Sequence, residues 1–217
     1  MKTTMKGIAL VMFSVLLVTA CSKDDNNSAV QPLNELRATD IIADTIIGFS
    51  ATGQPFGSGK FTFFSLENNR VVPSSDSNST KWDLGFRGTT IITNSGVSGP
   101  GNGGGFVQVG TFEDLKMVAA DSVFRTDVSP SNLAIPAGSN RAWFVYNPQA
   151  NLVTPIPGRV LVIRTALGKF AKVEILNYYK GGVTPLATAS DDDKIRKQRY
   201  YTFRFMVQPD GSKKLSN

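Results

Sequence analysis

Apolar and polar positions alternate with a period of two along much of this chain, most clearly from Arg159 to Lys180, RVLVIRTALGKFAKVEILNYYK. Val160 to Ala166 is almost continuously apolar and β-branched, which predicts a strand covered on both faces. A tight turn falls at Leu167-Gly168. Beyond it, Ala171, Val173 and Ile175 alternate with Lys172, Glu174 and Leu176, as in a strand with one buried face. A hairpin of this kind cannot stand alone in water, so other segments must supply a layer that covers it.

Several segments repeat the pattern. Thr45–Ser50 and Lys60–Leu66 read as strands, with Thr52-Gly53-Gln54-Pro55 and Gly57-Ser58-Gly59 as the break between them. Lys81–Thr93 reads as two strands around Arg87-Gly88, with Trp82, Leu84 and Phe86 alternating with Asp83 and Gly85. Arg141–Tyr146 is a further strand. In Lys197–Val207, Tyr201, Phe203, Phe205 and Val207 face a core, opposite Tyr200, Thr202, Arg204 and Met206. Thr111–Met117 has a capping residue, early acids and helical spacing of Phe112 and Leu115, which predicts a short helix.

Between these lie loops. The glycine-rich stretch Asn94–Gly105 lacks the Gly-Lys-Ser/Thr of a phosphate cradle and is expected to be a long, mobile loop. Asn147–Gly158 carries three prolines and is expected to be an irregular loop or an edge. Asp191-Asp192-Asp193 lacks the spacing of a calcium loop and reads as a solvated acidic turn. The expected fold is mainly β, with antiparallel sheets and one or two short helices, in one domain over residues 41–217.

The N-terminal pattern is different. Lys2 and Lys6 precede an uncharged apolar run from Gly7 to Val18, so residues 1–20 read as a signal peptide. Val18-Thr19-Ala20-Cys21 resembles a bacterial lipobox, in which Cys21 is lipidated and begins the mature chain; a plain signal peptide with an incidental cysteine is the alternative. Residues 21–40 then serve as a flexible tether. Its Ser22-Lys23-Asp24-Asp25 start resembles the export signal of Bacteroidota surface lipoproteins, which places the domain on the exterior of the outer membrane.

Composition narrows the chemistry. The 217 residues include no histidine, which excludes Ser-His-Asp and Cys-His catalysis and every histidine-ligated metal site. Cys21 is the sole cysteine, so no internal disulfide or cysteine-based metal site can form. Two of the 23 basic residues fall in the leader, leaving 21 against 17 acidic residues, a net of +4. That excess is scattered, with no clustered basic face for nucleic acid. Glu113, Asp114, Asp121 and Asp83 show no spacing that argues for acid–base work, so the chain is not read as an enzyme.

Lys81-Trp82-Asp83-Leu84-Gly85-Phe86-Arg87-Gly88-Thr89, Asn94-Ser95-Gly96, the Arg159–Ala166 strand, Gly168–Lys172 and Tyr178-Tyr179-Lys180 together resemble the HmuY family of haem-binding lipoproteins from Bacteroidota. The resemblance runs from about Ile41 to Leu215. It implies a mostly-β fold that holds haem in a cleft between two loop-tipped projections. It also implies transfer of that haem to a TonB-dependent outer-membrane receptor. Family members that ligate iron through two histidines cannot be matched here, which leaves methionine or tyrosine as donors. Met117, in the region of the first family ligand, and Tyr146, in the region of the second, are the candidates. Each also has a packing role as its alternative. A HmuY-like interaction module that has lost iron ligation and binds another ligand or partner is the alternative to haem capture.

Overall fold

The structure, a computed structural model, describes Lys2, residues 33–53 and residues 55–217. The rest of the leader, Cys21 and the polar stretch after it lie outside the described residues. Thirteen strands follow in order: β1 (Leu36–Ile42), β2 (Gly48–Phe49), β3 (Pro55–Phe56), β4 (Thr62–Ser65), β5 (Arg70–Val72), β6 (Leu84–Arg87), β7 (Thr90–Thr93), β8 (Gly104–Val109), β9 (Phe144–Asn147), β10 (Leu152–Pro155), β11 (Arg159–Arg164), β12 (Phe170–Tyr179) and β13 (Gln198–Val207). One α-helix, α1 (Asp191–Lys197), precedes β13. A five-stranded antiparallel sheet runs β1-β13-β12-β11-β8, and a four-stranded one runs β5-β4-β6-β7. Two hairpins, β9-β10 and β2-β3, complete the fold.

The apolar pattern of the β11–β12 hairpin dictates this layering. Leu161, Ile163, Ala171, Val173 and Ile175, with Tyr201, Phe203 and Phe205 of β13, form the inner face of the larger sheet. They pack against Phe64, Leu66, Leu84, Phe86 and Ile91 of the smaller sheet. Each such large apolar side chain contributes roughly 1.5–3 kcal/mol when fully buried. The alternate residues Val160, Val162 and Met206 point outward and are also buried, beneath Leu33, Phe112, Val118 and Leu215. The prediction that Val160–Ala166 is covered on both faces is therefore met. The turn at Leu167-Gly168 is met as well, with Gly168 at φ +86°.

Four expectations are corrected. The N-terminal tether does not extend to residue 40: Leu33 is buried, and β1, starting at Leu36, is an edge strand paired with β13. Thr111–Met117 forms turns rather than a helix. Thr111 Oγ1 does accept from Asp114 N at 3.1 Å, as a cap would. However, Lys172 Nζ takes the Phe112 and Leu115 carbonyls at 2.7 and 2.9 Å, and Val118 N donates to Lys213 O, so helical hydrogen bonds cannot propagate. The glycine-rich stretch is wrapped around Asn94, whose side chain donates to Ser79 O and Trp82 O and accepts from Gly101 N. A Cβ at Gly101 or Gly103 would meet Asn94 below 3.0 Å, so the glycines permit close packing, and the stretch ends in β8. Asn147–Gly158 meets the expectation of an edge: it contains β10, which pairs with β9 in a two-stranded sheet. Asp191–Asp193 form the first turn of α1.

The larger sheet has two distinct ends. At one, Leu33 N donates to Asn217 Oδ1 at 2.7 Å, and Asn217 Nδ2 donates to Leu33 O at 2.9 Å. From there β1 runs alongside β13, from Leu36 opposite Phe205 to Ile42 opposite Tyr200, a path of about 20 Å. The β2-β3 hairpin, α1 and the start of β13 lie at this second, distal end.

Candidate functional site

The distal end holds an open cleft of about 540 Å³ between the β2-β3 hairpin and α1. Asp44 fastens the base of the hairpin. Its carboxylate accepts from Ser58 N, Ser58 Oγ and Gly59 N at 2.6–2.9 Å. Slight burial works against the anion, but these donors win and hold the Asp44 pKa below its ordinary value. Within the hairpin, Phe56 lies over Gly48, where a Cβ would meet the ring at 2.8 Å. Ile47 and Phe49, two residues apart on the other face, stay 67% and 52% exposed and line the cleft with Ile46. Exposed apolar side chains gathered at one cleft mark a binding surface more often than scattered ones do.

The opposite wall is α1 and the first residues of β13. Ser190 Oγ accepts from Asp193 N at 3.2 Å, which caps α1, and three aspartates favour its N-terminus. Ile195 presents an apolar side chain to the cleft, and Arg196, paired with Asp192 at 2.7 Å, lies on its rim. Tyr200 completes this wall, with Lys180 Nζ 5.7 Å from its ring centroid. Gln198 is shared with a neighbouring polar cavity of about 460 Å³, lined also by Arg87 and Arg199. Arg199 adopts φ +70°, which turns its guanidinium toward Asp44 O at 2.8 Å and Tyr178.

The cleft fits an amphiphilic, ring-sized ligand. Its volume falls in the range of small-molecule sites, its lining mixes apolar side chains with Thr45, Asp192, Gln198 and Tyr200, and a guanidinium lies on the rim. A second apolar cleft, lined by Phe61, Phe63, Ile92, Val97, Pro130 and Leu133, measures about 300 Å³ and offers neither tyrosine nor methionine.

The structure does not bring Met117 and Tyr146 together. Met117 is 63% exposed and bridges to Lys214, in the segment that covers the outer face of the larger sheet. Tyr146 belongs to the β9-β10 hairpin, whose apolar residues Phe144, Leu152 and Val153 pack on the inner face. Its hydroxyl donates to Asn151 Oδ1 at 3.1 Å, and Asn151 in turn donates to Asp191 at the start of α1. Neither candidate lines the distal cleft. Tyr200, which does, sits on the polar side of the β13 alternation. Its signal in the sequence was an aromatic residue at a position expected to face solvent.

Architecture and cleft together define a two-layer antiparallel β protein with an open cleft at one end of its larger sheet. The family model for HmuY protein matches residues 58–188. The chain belongs to the HmuY family, a family of binding proteins. Among solved structures, the chain is similar to the apo HmuY analog TFO of Tannerella forsythia, at 14% identity and a TM-score of 0.46 over 83% of this chain and 99% of that one. It is also similar to a Bacteroides vulgatus protein provisionally named HmuY-like and heme binding, at 14% identity and a TM-score of 0.40 over 68% and 85% of the two chains. No curated protein matches the chain.

Proposed function

We propose that this protein is a surface lipoprotein, anchored in the outer membrane through Cys21, that binds haem or a related porphyrin for delivery to a TonB-dependent receptor. The observation that carries the reading is the distal cleft, in a chain of the HmuY family: exposed Ile47 and Phe49 face Ile195 and Tyr200 across about 540 Å³, with Arg196 at the rim. Ile47, Phe49 and Ile195 offer apolar contact to a porphyrin ring, and the Arg196 guanidinium suits a propionate. The reading does not rest on Met117 or Tyr146, neither of which lines this cleft.

Titration of the full chain, in mild detergent, with haemin tests this directly. A saturable Soret band distinct from that of free haemin is expected at micromolar concentrations. No saturable change would sink the haem reading and favour the interaction module that has lost iron ligation. Cys21→Ser should move the protein from the membrane to the soluble fraction; retention in the membrane would remove the lipid anchor from the proposal.

A further inference from the structure

We propose that the polar cavity beside the distal cleft is a second binding site, which takes a small tetrahedral oxyanion such as phosphate between Arg87 and Arg199. The proposal is independent of the haem reading. The cavity measures about 460 Å³ and takes its lining from both layers. Arg87 and Thr90 come from the β6-β7 hairpin of the smaller sheet, and Gln198 and Arg199 from the start of β13 in the larger one. Neither guanidinium forms an ion pair among the described residues. Arg87 Nη1 donates to Gly59 O at 3.2 Å, and Arg199 Nη1 donates to Asp44 O at 2.8 Å. Both acceptors are neutral carbonyls, and each guanidinium keeps further N–H donors.

Asp44 is the one carboxylate on the lining, and its oxygens accept from Ser58 and Gly59 instead of from either arginine. Two guanidiniums against one carboxylate leave the cavity net positive. Tyr178 adds no negative charge, because burial raises its pKa. The arginines are also set in place before a ligand arrives. Gly88 N donates to Ala43 O at 2.8 Å, Gly88 O accepts from the Tyr201 hydroxyl at 3.0 Å, and Thr89 O accepts from Trp143 Nε1 at 3.2 Å. The turn after Arg87 is thus pinned, and the Arg87 guanidinium lies 4.3 Å over the Phe61 ring. Arg199 is held at φ +70° while its carbonyl accepts from Ala43 N at 2.8 Å. Cations fixed in this way lose little freedom on binding. Their number selects the ligand. One arginine fork can take up both oxygens of a carboxylate, whereas a tetrahedral anion offers separate oxygens to two arginines. Thr90 and Gln198 add neutral donors to the same lining.

Calorimetric titration of the full chain, in mild detergent and at fixed ionic strength, tests this with inorganic phosphate, sulfate and acetate. Phosphate and sulfate should each saturate one site at millimolar concentration or below, and acetate should bind about tenfold or more weakly. Arg87→Gln should weaken phosphate binding about tenfold or more, while Arg70→Gln, which removes another exposed arginine, should change it less than about twofold. Arg199→Asn, whose new side chain tolerates positive φ, should match Arg87→Gln. Arg87 is exposed, so its variant decides the matter even if Arg199→Asn unfolds. No saturation by phosphate or sulfate, or equal losses in Arg87→Gln and Arg70→Gln, overturns the site. Acetate binding as tightly as phosphate overturns the tetrahedral ligand. Pelleting with phosphatidic acid vesicles, without any response to inorganic phosphate, would move the ligand to a lipid headgroup and overturn the free anion.

Discussion

The two ends of the five-stranded sheet follow opposite rules. Where Leu33 meets Asn217, polar groups are matched, and Leu33, Phe112, Val118 and Leu215 are covered while Met117 and Leu167 stay exposed. Leu215 N donates to Lys116 O, Lys172 holds two backbone carbonyls, and Arg204 ties Glu174 and Glu113 at 2.6 and 2.7 Å. The Asp83 carboxylate joins the same end, accepting from Leu66 N and Ala166 N at 2.8 and 2.9 Å. At the distal end the strands of the β2-β3 hairpin are two residues long, and Ile47, Phe49, Val183 and Leu186 stay exposed. The first end has little left to offer a ligand, because its groups already have partners. The second holds unspent apolar surface, the resource from which binding free energy is drawn.

Mutations should separate the ends by what they cost. The largest loss is expected for Lys172→Ala, which leaves the Phe112 and Leu115 carbonyls without their donor and opens a cavity over the sheet. Urea denaturation should show a loss of about 3 kcal/mol. An unchanged midpoint would mean that Lys172 does not hold the segment down. Asp83 should give the next effect, and it depends on pH. Burial is the leading influence and, against the backbone N–H donors, pushes its pKa up to about 6. A raised carboxyl pKa contributes stability that is fully present below the unfolded value, near 4, and is lost as pH rises through 6. Between pH 4 and 8, wild type should therefore lose about 2–3 kcal/mol relative to Asp83→Asn. Parallel stability curves for the two proteins would refute this. The smallest stability change is expected at the distal end. Ile47→Ser and Phe49→Ser should each stay within about 0.5 kcal/mol of wild type while weakening porphyrin binding about tenfold. A large loss of stability without a loss of binding would make this end a second scaffold and erase the contrast.

The sequence was most legible where one physical demand dominates. In Val160–Ile163 only burial on both faces explains an unbroken apolar run, and in Tyr201–Phe205 only one-sided burial explains the alternation. It misled where a local signal lost to a distant partner. Thr111 caps a turn as a helix would, but Lys172, some 60 positions away, claims the carbonyls. The seven-residue α1 is too short to show helical periodicity, and its three aspartates, helix-favouring beneath Ser190, read equally well as a solvated turn. The cleft itself was hidden because its walls come from segments about 150 residues apart, near Ile47 and near Tyr200. Neither wall is unusual alone.

Leu33 and Asn217 exchange two hydrogen bonds, so the described chain is nearly a closed circuit. A short peptide could join them and new ends could be cut in the turn between Asn147 and Leu152 without removing any strand. A lipid attached at such a cut would suspend the domain from the β9-β10 hairpin, whose Asn151 touches α1, and not from the end where Leu33 and Asn217 meet. With the anchor proposed at Cys21, the direction in which the cleft faces would be a property of where the chain is opened, and would reverse while every strand of the fold is kept.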